Sequence, residues 1–256
     1  MKYPVEELDP YSEFSPSEYI EEYYSHVGAE NEFLLRFYHD VFSELPKNLT
    51  MLEVGGGPTV YQLFSASRAA SEIVFTDYLE SNLETVAQWV AGLEESVSWR
   101  PFASTVAKLE GGASSKTDVE AQCVEERTRA AIRQIIACNV LSGNLLEALQ
   151  GKRFDVVSSG FCLECISRDE AHFVQALSNV SLAVAKRGYL VLTVLKNSSS
   201  YRVGSHRFPS FPVDSSYLRT ILASLSFEVQ ELRETRAEDE QGYDGLIAVL
   251  AQRTAD

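Results

Sequence analysis

Cations are scarce in this chain: 22 lysines and arginines stand against 37 aspartates and glutamates, a formal charge of -15. A surface of that sign repels a phosphate backbone or an anionic bilayer at long range, so neither nucleic acid nor membrane is expected as a partner. Four cysteines in 256 residues are too few for a disulfide framework and predict reduced thiols. Cys162 and Cys165 form one C-x-x-C in "FCLEC". No second pair completes a zinc site, and the motif does not open a helix near a first strand as a redox motif would, so packing thiols are expected. The four histidines, His26, His39, His172 and His206, are scattered, and no metal site is expected. G-x-S-x-G, P-loop and paired-His motifs are all missing, which leaves no sign of a nucleophilic side chain or of metal-assisted hydrolysis. No basic opening followed by an apolar run is seen, and no stretch approaches eighteen apolar residues. A cytoplasmic protein is the expectation.

What is present is enough apolar content, 45% of 256 residues, for one substantial core, and a single compact monomer is expected. In "FSPSEYIEEYY", Ser15, Pro16 and Glu18 form a capping box with proline at the first helical position, which predicts a helix start. Tyr19, Ile20, Tyr23 and Tyr24 then share one helical face, and Phe33, Leu34, Phe37, Tyr38, Val41, Phe42 and Leu45 repeat the pattern. Residues 1–48 therefore read as a helical cap, and 49–256 as the main domain.

After "LPKN" the period changes. "MLEVG", "EIVFTD", "IIACNV", "FDVVSSG" and "GYLVLTVL" have the length and β-branched content of buried strands, with helical segments near 59–68, 82–94, 122–134 and 169–186 between them. Such alternation predicts an α/β fold with a mostly parallel sheet and helices on both faces. "FEVQELRETR" and "DGLIAVLAQR" are separated only by "AEDEQGY", which leaves no room for a crossover helix and predicts a closing antiparallel pair. Residues 98–118, with "GGASSKTD", read as a partly mobile insertion.

Gly55, Gly56 and Gly57 follow the first strand, and Asp77 stands at the tip of the second. A glycine turn lets backbone N–H groups approach a ligand, and an acid at that tip can accept from ribose hydroxyls. NAD, FAD and S-adenosylmethionine all suit the pattern. The third glycine of a dinucleotide fingerprint is replaced by Val60, which disfavours a pyrophosphate. The antiparallel closing pair also suits a methyltransferase sheet better than a dehydrogenase sheet.

The run "VGGGPTVYQLFSA", followed by "EIVFTDY" and Asn82, with "FSPSEYIEEYY" ahead and "SSGFCLECIS" behind, resembles the nicotinamide, phenylethanolamine and indolethylamine N-methyltransferases and their thioether S-methyltransferase relative. The resemblance implies a class I methyltransferase, Rossmann-like, with a seven-stranded sheet whose last strand is antiparallel. It further implies that Tyr24 bonds the carboxylate of S-adenosylmethionine, Gly55 and Gly56 pass beneath its methionine part beside Tyr61, and Asp77 takes the ribose hydroxyls. Tyr78 and Asn82 would flank ribose and adenine, Asn139 and Val140 would frame the adenine, and Gly160 would lie under the sulfonium. Many relatives carry an aspartate before that valine, so Asn139 is a departure, though an amide can still pair with the adenine amino group.

For the methyl acceptor, a small molecule, the resemblance singles out Glu164 in "FCLECIS" as the acid facing an amine, and Tyr19 as the tyrosine closing over cofactor and acceptor. Ser198, Tyr201 and Ser210 occupy the substrate-facing positions of the family's hairpin. Val194 stands where the nicotinamide enzyme has an aspartate, and Ser198 where the amine enzyme has a glutamate, so neither nicotinamide nor a catecholamine is the expected acceptor. Lys196, Arg202, His206 and Arg207 cluster in the same hairpin; they read first as the charges of a solvated loop, with contact between one of them and an acidic group on the acceptor as the sharper alternative. Nitrogen is the expected methyl acceptor, with sulfur the alternative. A scaffold that binds cofactor without catalysis is a third reading.

Overall fold

The computed structural model describes residues 10–111, 117–142, 145–238 and 242–254. Two helices open the fold, α1 (Pro16–Tyr24) and α2 (Ala29–Glu44). The Ser15 side chain accepts from the Glu18 N–H at 3.3 Å, so the first helix starts where its capping residues predict. On the second, the apolar stripe is buried: Leu34, Leu35, Phe37, Tyr38, Val41 and Phe42.

Seven strands form one sheet in the order β3-β2-β1-β4-β5-β9-β8. They are β1 (Leu49–Val54), β2 (Ala70–Asp77), β3 (Ile132–Ala137), β4 (Phe154–Gly160), β5 (Val184–Lys196), β8 (Phe227–Arg236) and β9 (Gly245–Arg253). β1 to β5 pair in parallel, while β9 runs antiparallel between β5 and β8. Helices α3 (Leu63–Ala66), α4 (Glu80–Val90), α5 (Arg100–Gly111), α6 (Thr117–Ala131), α7 (Leu145–Ala148), α8 (Glu170–Leu182) and α9 (Ser215–Ser224) complete the chain order with a small hairpin, β6 (Ser200–Val203) and β7 (His206–Pro209). The sheet carries an apolar cluster on each face, as strands buried on both sides require. No described helix is long and apolar enough to cross a membrane.

The reading of 98–118 as a partly mobile insertion needs correction. Residues 100–111 form helix α5, with Phe102, Ala103, Val106 and Ala107 buried on one side, a spacing that matches a helical face. The stretch 112–116, most of the glycine-serine segment, lies outside the described residues, as do 239–241 of the acidic loop before β9. Trp99 and Phe102 are each 1% exposed and rest on Tyr61, at 6.0 and 5.5 Å between ring centroids. Phe102→Ala is expected to cost about 3–5 kcal/mol of stability, measured as a shift of the denaturant midpoint. A cost under about 1 kcal/mol would place the helix outside the folded core.

Candidate active site

At the C-terminal ends of the parallel strands lies a cavity of about 730 Å³, within the range of small-molecule sites. Its position follows from topology, because neighbouring strands β1 and β4 lead away in opposite directions and leave a crevice at their tips. Gly55 and Gly57 adopt positive φ, +61° and +63°, where a side chain would be strained. A Cβ on Gly55 would overlap the Cys162 thiol, and one on Gly56 would overlap the Phe75 ring. Gly55 is therefore required both by the turn and by close approach, Gly56 by close approach and Gly57 by the turn.

Asp77 secures this turn from the next strand. One carboxylate oxygen accepts from the Gly57 N–H at 2.8 Å; the other accepts from the Leu79 N–H at 2.9 Å and from the Asn82 amide at 3.0 Å. Burial raises its proton affinity, and these donors oppose that. Beneath the turn, the Gln62 amide donates to the Gly56 carbonyl at 3.3 Å and to the Glu53 carboxylate at 3.2 Å. Thr59 donates to the Gly56 carbonyl at 2.9 Å. Glu53 also accepts from the Ser158 hydroxyl.

Aromatic rings roof the cavity. Tyr19 and Tyr24 hold their hydroxyls 3.4 Å apart, and Tyr24 lies against Tyr61 at 5.0 Å between centroids. Burial pushes all three phenols above their ordinary value, so they remain protonated donors at neutral pH. The roof is tied to the body of the protein at several points. The Tyr11 hydroxyl donates to the Cys165 carbonyl at 2.7 Å, and the Tyr23 hydroxyl to the Arg202 carbonyl at 2.7 Å. Glu22 accepts from the Arg202 guanidinium at 2.9 Å and from the Gly204 N–H at 3.1 Å. Across the cavity Glu238 accepts from the Ala29 and Glu30 N–H groups at 2.6 and 3.2 Å, capping α2, whose own N-cap is Gly28.

The cavity wall brings together Tyr19, Tyr24, Gly55, Gly56, Tyr61 and Asp77, with Tyr78, Asn82, Asn139, Val140, Gly160 and Tyr201. Glu164, Ser198 and Ser210 are buried but stand outside that wall. One Glu164 oxygen accepts from the Leu195 N–H at 2.9 Å and the other has no hydrogen-bond partner; its neighbours Cys165 and Leu195 do line the cavity. Burial pushes the Glu164 carboxyl up to about 7. Ser198 spends its hydroxyl on the Ser200 carbonyl at 3.0 Å, and Val194 is buried in β5.

The hairpin cations do not serve as acceptor contacts. Lys196 pairs with Glu234 and Arg202 with Glu22, Arg207 donates to the Ser200 hydroxyl, and His206 lies 3.9 Å from Glu13. Protein groups thus occupy these four residues, and none is in the wall. Cys162 and Cys165, expected to be packing thiols, both contribute to it. The described lining carries Glu22, Glu30, Asp77 and Glu238 against Arg168, an excess of negative charge. Sequence reasoning missed Glu53, Gln62, Tyr38 and Trp99; the one local signal was an acid inside the apolar run "MLEV".

The pattern of the NNMT/PNMT/TEMT family matches residues 4–254. Human nicotinamide N-methyltransferase is 28% identical over 252 residues, covering 94% of each chain. Pig phenylethanolamine N-methyltransferase is 31% identical over 72% of this chain and 64% of its own length. Among solved structures, magnesium protoporphyrin IX methyltransferase from Synechocystis superposes with a TM-score of 0.57 at 11% identity, covering 96% of this chain and 98% of the other.

Proposed function

The chain belongs to the NNMT/PNMT/TEMT family, and from that premise we propose which of its residues hold the cofactor and which face the acceptor. The activity is transfer of a methyl group from S-adenosylmethionine to a nitrogen of a small amine or N-heterocycle, leaving S-adenosylhomocysteine. The observation that carries the reading is the convergence of the Gly55–Gly57 turn, Asp77 and the tyrosine roof on one cavity.

Asp77 takes the ribose hydroxyls with Asn82 beside it. Tyr24 and Tyr61 donate toward the carboxylate end, Gly55 and Gly56 allow the methionine portion to lie on the backbone, and Gly160 leaves space below the sulfur. Tyr78, Asn139 and Val140 enclose the adenine. When bound, the cofactor supplies a methyl carbon made electrophilic by its sulfonium. The protein's task is then to hold an amine lone pair in line with that carbon and exclude water, and holding reactants so is worth on the order of 7–11 kcal/mol of barrier. Tyr19, Tyr201 and the neighbouring aromatic wall confine the acceptor. Glu164, buried directly behind the wall residues Cys165 and Leu195, attracts the acceptor's ammonium through the field of its carboxylate and takes up the ammonium proton through water. Ser198 and Ser210 shape the hairpin floor rather than touch the acceptor.

The net charge of -15 supports a small molecule over a nucleic acid as acceptor, and the enzyme works as a cytoplasmic monomer built from a cap (1–48) and a catalytic domain (49–256). Incubation with methyl-labelled cofactor and a panel of amines, N-heterocycles and thioethers tests the reading. Label is expected in an amine or heterocycle product. Label in thioethers alone would move the accepting atom to sulfur.

A further inference from the structure

Glu53 is 0% exposed between the apolar residues Leu52 and Val54 of β1, and neither residue bonded to its carboxylate, Gln62 or Ser158, carries a charge. An ionised carboxylate so placed is costly without a cation to face. Glu53 on β1 is paired across the sheet with Ser158 on β4. Two residues further along β4 comes Gly160, opposite Thr193 on β5. A Cβ on Gly160 would meet the Thr193 hydroxyl at 2.9 Å and the Tyr38 hydroxyl at 3.5 Å, and those two hydroxyls bond each other at 3.2 Å. Glu53, Ser158, Thr193 and Tyr38 thus form a polar floor directly under the strand tips. Gln62, Gly56, Tyr38 and Gly160 carry that floor into the cavity wall.

We propose that Glu53 is a buried counter-charge for the sulfonium of the bound cofactor, acting through the floor beneath Gly56 and Gly160 and favouring S-adenosylmethionine over its uncharged-sulfur product. The proposal rests on the methyltransferase reading above. Its consequence is easier exchange of spent for fresh cofactor, because only the latter carries the charge Glu53 attracts. The titratable groups facing Glu53 are Tyr38 of α2 and Cys162 after β4. Burial and then Glu53 itself push the Tyr38 phenol up; burial, Asp77, Glu164 and Glu53 do the same for the Cys162 thiol. Neither supplies positive charge. Burial raises the Glu53 carboxyl to about 7, so the charge is present above that pH and lost below it.

Calorimetry of both ligands at pH 8 tests this. Glu53→Gln keeps the shape and removes the charge, and is expected to weaken S-adenosylmethionine on the order of tenfold while S-adenosylhomocysteine changes by less than about twofold. Gln62→Met, which cuts the link to Gly56 and leaves the charge, should weaken both ligands alike. Equal losses for both ligands in Glu53→Gln, or none, would overturn the proposal and leave Glu53 as an anchor of the loop. Should that variant fail to fold, the wild-type protein decides: its preference for S-adenosylmethionine is expected to fall severalfold from pH 8 to pH 6, in Glu164→Gln as well, and a constant preference refutes the idea. Failure of the wild type to bind either ligand would instead sink the methyltransferase reading itself.

Discussion

Asp77→Ala is expected to lower affinity for S-adenosylhomocysteine by about 100-fold or more. The carboxylate offers about four lone-pair sites, and three already receive the Gly57, Leu79 and Asn82 donors. Alanine removes the acceptor for ribose and also strands those donors beside a glycine turn that depends on them. Hydrogen bonds to a charged group contribute roughly 1.5–3 kcal/mol each, so loss of the ribose contact together with loosening of the turn accounts for an effect of that size. Calorimetry gives the affinity, and a thermal melt of the unliganded variant separates binding from folding. A folded variant that binds within about threefold of wild type would remove Asp77 from the cofactor site.

Glu164→Gln produces the second large effect, with the opposite division between binding and turnover. A positioned acid-base group contributes typically about 10²–10⁴-fold, so amine turnover should fall about 100-fold or more while S-adenosylhomocysteine affinity stays within about threefold. The amide still accepts from the Leu195 N–H, which bonds one Glu164 oxygen at 2.9 Å, so the fold is kept. What disappears is the charge on the oxygen that has no partner. The pH profile supplies an independent check. With its folded value raised by burial to about 7, Glu164 is ionised above that pH and protonated below it. Wild-type turnover should therefore fall as pH drops through about 7, and the variant should lack that step. Equal losses in turnover and cofactor affinity would return Glu164 to a purely structural role.

The two acids also bear on stability. Glu53 and Glu164 both have folded values raised to about 7, above those of an unfolded chain. Their contribution to stability is fully present below the unfolded value and is lost as pH rises through about 7. The protein accepts two buried carboxyls just behind the wall of its cavity, neither bonded to a cation among the described residues, in keeping with the expectation that costly groups collect where ligands bind.

Strand tips, the glycine turn, Asp77 and the capped first helix were legible from the chain alone because each is dictated locally. Apolar period marks a buried strand, Gly55 answers a backbone demand, and Ser15 sits three residues from the N–H it caps. Helix α5 was equally visible in the spacing of Phe102, Val106 and their neighbours, yet the adjacent glycine-serine run drew the reading toward a loop. Other features depend on residues far apart in sequence, and no local pattern encodes them. Glu53 meets Ser158 and Glu164 meets Leu195 only after the parallel strands align. The hairpin cations find Glu22 and Glu234 only when the cap and β8 are in place. Short-range stereochemistry thus determined the turn and strand tips proposed to hold the cofactor, whereas packing over long separations decided which charges face the cavity, which are paired away from it and which remain buried behind its wall.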